Sequence, residues 1–363
     1  MPNPLAADLD HVLAHTAEVW DALDDGRLFI TGGTGFFGCW LLESFVWACD
    51  RLKLRASMTV LTRSPEAFRR KAPHLASHRC IELLEGDVRA FQLPDGAFSH
   101  IIHGATESSA RLNRDQPLLM LDTIVEGTRR TLDFAVTSGA KRFLLISSGA
   151  VYGTQPATLS HVPEDYVGGP DTTDPRSAYG EGKRLAEQLC AIYSREYGLE
   201  CPIARPFAFT GPYLPLDIHF AIGNFINDCL YGRPIEIRGD GTACRSYLYA
   251  SDLTIWLWTI LARGRSCRPY NIGSEEVISI KDLAYTARNT LGVEQPVRIA
   301  GTPRQGIPPE LYVPDAARAR NELGLEQRVS LKDAICRTAG WYGALHGRDA
   351  VKTEVSAYSE ARA

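Results

Sequence analysis

The chain has 363 residues, 45% hydrophobic and 23% charged, with a formal net charge of -4 at pH 7. That length suits one large α/β domain plus a smaller one, and the near-balanced charge excludes a polybasic surface for nucleic acid or anionic membrane. No apolar run is as long as a membrane span, and the N-terminal MPNPLAADLDH lacks the basic and apolar regions of a secretion signal, so a cytoplasmic location is expected.

The nine cysteines include no C-x-x-C pair. Cys39, Cys49, Cys190 and Cys229 sit in apolar runs and read as buried free thiols, and no metal site is expected.

In chain order, Leu5, Leu9, Val12, Leu13, Val19, Trp20 and Leu23 recur at helical spacing and predict one amphipathic helix packed on the domain surface. The apolar run Arg27 to Thr31 predicts a buried strand. Glycines follow at 32, 33, 35 and 38, and Phe36 to Cys49 reads as a helix. A strand, a tight glycine turn and a helix N-terminus make an anion site, because free N–H groups converge where no Cβ blocks a pyrophosphate. The spacing Gly32-x-x-Gly35-x-x-Gly38 therefore points to a dinucleotide.

A second strand, Ser57 to Thr62, ends in Thr62-Arg63-Ser64. Folds of this kind usually carry an acid here for the ribose hydroxyls. Arg63 stands instead, with Ser64 beside it, and a guanidinium can pair with a 2′-phosphate, so NADP is favoured over NAD. Cys80 to Leu84 is a third strand, closing in Gly86-Asp87-Val88, and Ser99 to His103 is a fourth. A long helix over about 117–138 precedes a fifth strand, Arg142 to Ser147, which runs into Ser148-Gly149-Ala150-Val151-Tyr152-Gly153. A polar loop fills 154–176; a helix from Tyr179 to Tyr197 and a sixth strand, Cys201 to Pro206, follow.

Strands alternating with helices predict an α/β fold, a Rossmann-type doubly wound parallel sheet with its site at the carboxyl ends of the strands. After Pro206 the rhythm changes. The expected division is a dinucleotide-binding domain over 1–206, with 241–275 returning to it. A smaller mixed α/β substrate domain takes 207–240 and 276–345, and a tail takes 346–363.

Tyr179 and Lys183 are four apart on a helix and share a face. A phenol titrates near about 10. A fixed ammonium and a positive nicotinamide ring favour the phenolate, which makes Tyr179 a general base and Lys183 its tuning partner. Ser148, at a strand's carboxyl end, can hold the same substrate hydroxyl.

With these pieces together, the chain resembles the extended short-chain dehydrogenases/reductases, in the sugar-nucleotide epimerase/dehydratase branch. The matching segments are TGGTGFFG (31–38), GDV (86–88), HGATES (103–108), SSGAVYG (147–153), YGEGK (179–183), RPFAFTGP (205–212), GDGTACRSYLYASD (239–252), YNIGS (270–274) and YVPD (312–315). The resemblance implies a cofactor held by Gly32, Thr34, Gly35, Phe36, Phe37, Gly38, Arg63, Ser64, Asp87, Val88, Gly104, Ala105, Thr106, Ser147, Tyr179, Lys183 and Pro206. It implies a nucleotide-diphosphate sugar contacted by Glu107, Ser108, Ser109, Arg245 and Arg304. It also implies a homodimer through a four-helix bundle built from 117–138 and 177–197.

Several positions depart from the family pattern. Dehydratases carry an acidic pair at Gly149 and Ala150, and decarboxylating members tend to have Glu at Ala150. The usual Asn and Tyr of the RPFAFTGP segment are Ala208 and Thr210, and Ile124 replaces another Asn. Glu107 is either an extra acid/base or a pocket hydrogen-bond partner. These features favour an NDP-sugar 4-epimerase. The alternative is an NADPH-dependent 4-keto-sugar reductase; a dehydratase, a decarboxylase or a non-catalytic dinucleotide-binding protein ranks lower.

Overall fold

The computed structural model describes residues 3–106, 110–218, 220–304 and 306–343. Seven parallel strands form the central sheet: β1 Arg27–Thr31, β2 Ser57–Thr62, β3 Ile81–Glu85, β4 His100–His103, β5 Arg142–Ile146, β6 Ile203–Pro206 and β7 Pro269–Ile272. Their order is β7-β6-β5-β4-β1-β2-β3, so the direction of winding reverses between β1 and β4. In register, Thr31 pairs with both Leu61 and His103, which aligns the carboxyl ends of β1, β2 and β4 along one edge. Ligands of doubly wound sheets bind in the crevice at such a reversal.

One face of the sheet is covered by α1 (Ala6–Ala14), α2 (Ala17–Leu23), α3 (Phe36–Leu52) and, later in the chain, the helix Ala250–Arg263. The single helix expected over residues 5–23 is two. At the break, Thr16 is buried; its Oγ1 donates to Val12 O at 2.6 Å and accepts from Trp20 Nε1 at 2.9 Å. The break turns Trp20 inward against Trp258, with ring centroids 5.0 Å apart, so this segment is part of the core and not a surface addition. Asp8 fastens it further, accepting from Tyr249 Oη at 2.7 Å.

On the other face lie α4 (Pro117–Thr137) and α5 (Ala178–Tyr197). They approach closely at Gly182, where a Cβ would stand 3.0 Å from Ile124 Cδ1. A third apolar cluster gathers Leu214, Ile222, Phe225 and Ile226 with Ile235, Leu283, Ala287 and Ile335. It supports a lobe over the carboxyl edge of the sheet. Cys39, Cys49, Cys190 and Cys229 are buried free thiols, whereas Cys267 and Cys336 are exposed. Among the described residues no helix is long and apolar enough to cross a membrane, and no group of His, Cys, Asp or Glu has metal-binding geometry.

Candidate active site

A cleft of ≈ 1190 Å³ opens at the carboxyl edge of the sheet. Gly32, Thr34, Gly35, Phe36, Phe37 and Gly38 line it from the turn after β1. Arg63 and Ser64 follow β2, Asp87 and Val88 follow β3, and Gly104, Ala105 and Thr106 follow β4. Ser147 and Ser148 lie after β5, Tyr179 and Lys183 on α5, Pro206 at the end of β6, and Arg245 on the facing lobe. Arg304 does not line the cleft and is exposed. Glu107, Ser108 and Ser109 lie outside the described residues.

The turn has the shape that an anion requires. Gly32 has φ +76°, and a Cβ there would stand 2.6 Å from the Gly104 carbonyl. Gly38 lets α3 lie directly on the turn, since its Cβ would be 2.3 Å from Gly32 O. At Gly35 a Cβ would meet only Gly32 O, at 3.4 Å, so the turn is open toward the cleft. No side chain caps the start of α3, which leaves its first N–H groups to a ligand. Lys71 Nζ donates to Thr34 O at 2.7 Å and adds positive charge. Beneath the turn, buried His103 joins Thr31 Oγ1 (2.9 Å) to Thr128 Oγ1 (3.0 Å). Burial pushes its pKa down to about 3, so it stays neutral. Thr31 Oγ1 in turn accepts from Gly104 N at 3.2 Å and Ala105 N at 3.1 Å, which fixes the loop after β4. These residues fit a dinucleotide, with the pyrophosphate at the Gly32–Gly38 turn.

Beyond β2, Ser64 is engaged locally: its Oγ accepts from Ala67 N at 3.3 Å as a helix cap. Asp87 is clamped by Arg89 (Nε to Oδ1 2.8 Å, Nη2 to Oδ2 3.1 Å). That pairing, with Arg63 adding its charge, holds the carboxyl below its usual range. Among the described residues that line the cleft, Asp87 is the only carboxylate.

The residues expected to carry the chemistry gather at the other end. Asn113 positions the start of α5: its Oδ1 accepts from Tyr179 N at 3.0 Å while its Nδ2 donates to Arg176 O at 2.7 Å. Burial raises the pKa of the Tyr179 phenol, and hydrogen bonding from Ser148 works against that rise. Lys183 Nζ, 6.0 Å from the Tyr179 ring centre, donates to Ile146 O at 2.8 Å. Burial lowers its pKa from 10.5 to about 8, so the ammonium that should favour a phenolate is itself held at a cost. Before a ligand arrives, burial therefore outweighs the Ser148 hydrogen bond at Tyr179.

Ser147 and Ser148 part company, as successive extended residues do. Ser147 Oγ donates to Glu187 Oε1 at 2.6 Å, and Glu187 is also held by Arg205 (Nε to Oε1 2.9 Å, Nη2 to Oε2 2.6 Å). Its hydroxyl thus belongs to this inner network. Ser148 Oγ accepts from Ala150 N at 3.1 Å and faces the phenols. Arg245 is engaged by Glu310 at 2.6 Å, so an anion would have to share it. Lys71, Asn113, Phe207 and Tyr312 line the cleft without having been singled out from the sequence. Phe207 and Tyr312 lay in recognised segments, RPFAFTGP and YVPD, but a two-residue strand, Leu311–Tyr312, gives no periodicity to reveal the role of the phenol.

Lys183 carries a prediction on stability. Its pKa is lower folded than unfolded, so the unfolded chain holds more protons between about pH 8 and 10.5. The burial cost is fully present below pH 8 and fades as pH rises through that window. At pH 7 it amounts to about 3 kcal/mol, against about 1–3 kcal/mol for the Ile146 carbonyl left unpaired on its removal. Lys183→Met should therefore keep or raise the thermal midpoint at pH 7, and lose that advantage toward pH 10, while turnover collapses. A midpoint that falls sharply at pH 7 contradicts this.

Residues 28–273 match the model of the NAD-dependent epimerase/dehydratase family. The chain is 30% identical over 310 residues to UDP-glucuronic acid decarboxylase 3 of Arabidopsis thaliana, covering 85% of this chain and 86% of that one. It is 29% identical to UDP-glucuronic acid decarboxylase 1 of Danio rerio, covering 88% and 73%. Among solved structures, the dTDP-glucose 4,6-dehydratase of Streptomyces venezuelae with NAD bound superposes with TM-score 0.75 at 25% identity, covering 88% of this chain and 98% of that one. The UDP-glucuronic acid 4-epimerase of Bacillus cereus, in complex with UDP-glucuronic acid and NAD, shares the fold with TM-score 0.74 at 22% identity, covering 88% and 99%.

Proposed function

This chain belongs to the NAD-dependent epimerase/dehydratase family, and from that premise we propose that it is a nucleotide-sugar 4-epimerase. The observation that carries this reading is the pairing of Ser148, Tyr179 and Lys183 in a cleft whose only described carboxylate, Asp87, follows β3. Removing water across carbons 5 and 6 needs an acid and a base, and Gly149 and Ala150 supply neither. Oxidation and reduction at carbon 4 need one proton acceptor and an oriented oxygen. The names of the curated relatives support a UDP-linked hexose or hexuronate as substrate.

A bound nicotinamide supplies a reversible acceptor for the hydrogen on carbon 4. This chain's residues do the rest. Tyr179 takes the proton of the carbon-4 hydroxyl and returns it, Ser148 orients that oxygen, and Lys183 favours the phenolate once its charge faces the ribose. The Gly32–Gly38 turn holds the pyrophosphate of the cofactor, and Arg245 holds the diphosphate of the sugar nucleotide.

Arg63, after β2, favours a 2′-phosphate and with it a second reading, an NADPH-consuming ketoreductase. Arg63→Ala should weaken NADP binding by about tenfold or more, with NAD affinity unchanged. An equal loss for both would remove the preference. Denaturing the purified protein and identifying the released dinucleotide by mass spectrometry separates the readings. A near-stoichiometric oxidised cofactor supports the epimerase; an empty protein that binds NADPH tightly supports the reductase.

A second copy of this chain fits against α4 and α5, where Leu118 is 73% and Leu185 43% exposed. Burying both across a two-fold axis would complete a four-helix bundle.

A further inference from the structure

Tyr312 brings a second phenol to the catalytic centre. It lines the cleft with Ser148 and Tyr179, and its hydroxyl lies 2.7 Å from the point where a Cβ on Gly149 would stand. Only glycine at 149 admits it there, directly against the turn that follows Ser148. Its ring and its backbone are both held. Phe207 packs against it with centroids 4.6 Å apart, and the backbone pairs with Arg245 in a short parallel strand. The next residue is locked as well, since Val313 N donates to Gln155 Oε1 at 2.9 Å. A side chain held this firmly against a catalytic turn does more than fill space.

The hydrogen-bonding capacity of Ser148 shows what it does. A serine hydroxyl has one proton and two lone pairs. The Ala150 N–H occupies one lone pair at 3.1 Å. We propose that the Tyr312 hydroxyl donates to the other, so that the single Ser148 proton can point only toward Tyr179 and the substrate oxygen. Tyr312 is then a positioning residue in a relay from Tyr312 to Ser148 to the Tyr179 phenolate.

The charges agree with that direction. Burial, with the Tyr179 charge adding to it, pushes the Tyr312 pKa far up, so Tyr312 keeps its proton and acts as donor. Burial raises Tyr179 as well. Ser148 hydrogen bonding opposes the rise at both phenols, and one proton cannot serve two phenolates. Hydroxyls in a chain also polarise one another, so the Ser148 proton becomes a better donor when Tyr312 donates to its oxygen.

The inference rests on Tyr179 being the base, and its test keeps the two claims apart. Dinucleotide-loaded protein labelled with tyrosine 13C at Cζ is titrated by NMR. The Tyr179 resonance is identified by its loss in Tyr179→Phe. Tyr312→Phe keeps the ring on Phe207 and removes only the hydroxyl, and should raise the Tyr179 midpoint by about one pH unit. In a Ser148→Ala background the same substitution should move nothing further, because the relay is already broken. A Tyr179 that ionises with the same midpoint in Tyr312→Phe overturns the relay alone. So does an equal shift in both backgrounds. A Tyr179 that stays protonated in the loaded wild-type protein up to about pH 10 overturns the base reading beneath it.

Discussion

Tyr179→Phe should lower kcat by about 10³-fold or more while leaving dinucleotide affinity within about twofold, since a positioned acid/base contributes about 10²–10⁴ in rate and a phenyl ring keeps the packing. The half-buried phenol lines the cleft, and among the described residues the groups beside it that can move a proton are Ser148, Lys183 and Tyr312. None of the three can replace it. The Ser148 hydroxyl is far too weak an acid, the Lys183 ammonium is bonded to the Ile146 carbonyl at 2.8 Å, and burial holds Tyr312 protonated. Stability should change little, because the hydroxyl removed is one that burial disfavours in its charged form. Cofactor binding by fluorescence and turnover by product analysis check the two halves separately. A variant that retains more than a tenth of wild-type turnover contradicts the assignment.

The second large effect is expected at Gly38. Its Cβ would lie 2.3 Å from Gly32 O and 2.4 Å from both Gly33 C and Gly33 Cα, all backbone atoms that cannot rotate aside. Gly38→Ala must push α3 off the turn. That should cost about 2–4 kcal/mol of stability, in the range of core overpacking and of the most damaging single substitutions. Displacing the helix N-terminus from the pyrophosphate should weaken dinucleotide binding by about 100-fold, the equivalent of about 2.7 kcal/mol. Gly35→Ala is the control, because its Cβ would meet only Gly32 O at 3.4 Å. It should keep the thermal midpoint of the wild type and lose affinity alone, its methyl group standing where the turn opens to the cleft. Thermal melts with and without cofactor check both; equal melting of Gly38→Ala and wild type would contradict the packing argument.

The legible parts of the chain were those where chemistry and periodicity coincide. The strands at 27–31 and 57–62 could be read to the residue, because apolar runs stop at a glycine turn and at a polar Thr-Arg-Ser. The residues of the glycine turn, Ser148, Tyr179 and Lys183 were visible as types at fixed spacing, and the structure gathers them in one cleft. Other features were hidden for physical reasons. The break between Ala14 and Ala17 falls inside an apolar spacing that runs on through it, so helical spacing conceals it. The opposite facing of Ser147 and Ser148 depends on where β5 ends. Tyr312 arrives through a two-residue strand, and its importance comes from the space Gly149 leaves, a relation between positions far apart in the sequence. The pull of burial against Lys183 is a property of the enclosed site and has no linear signal.

The central claim, reversible oxidation at carbon 4 with return of the same hydrogen, is tested most directly with UDP-glucose and UDP-glucuronic acid carrying deuterium at carbon 4. After incubation with the enzyme and catalytic dinucleotide, NMR should find both carbon-4 epimers of one of these sugars. The deuterium should still be at carbon 4, with none in solvent and no net change in the cofactor. Loss of the label to water, release of the carboxyl group as carbon dioxide, or consumption of one reduced cofactor per product would contradict it.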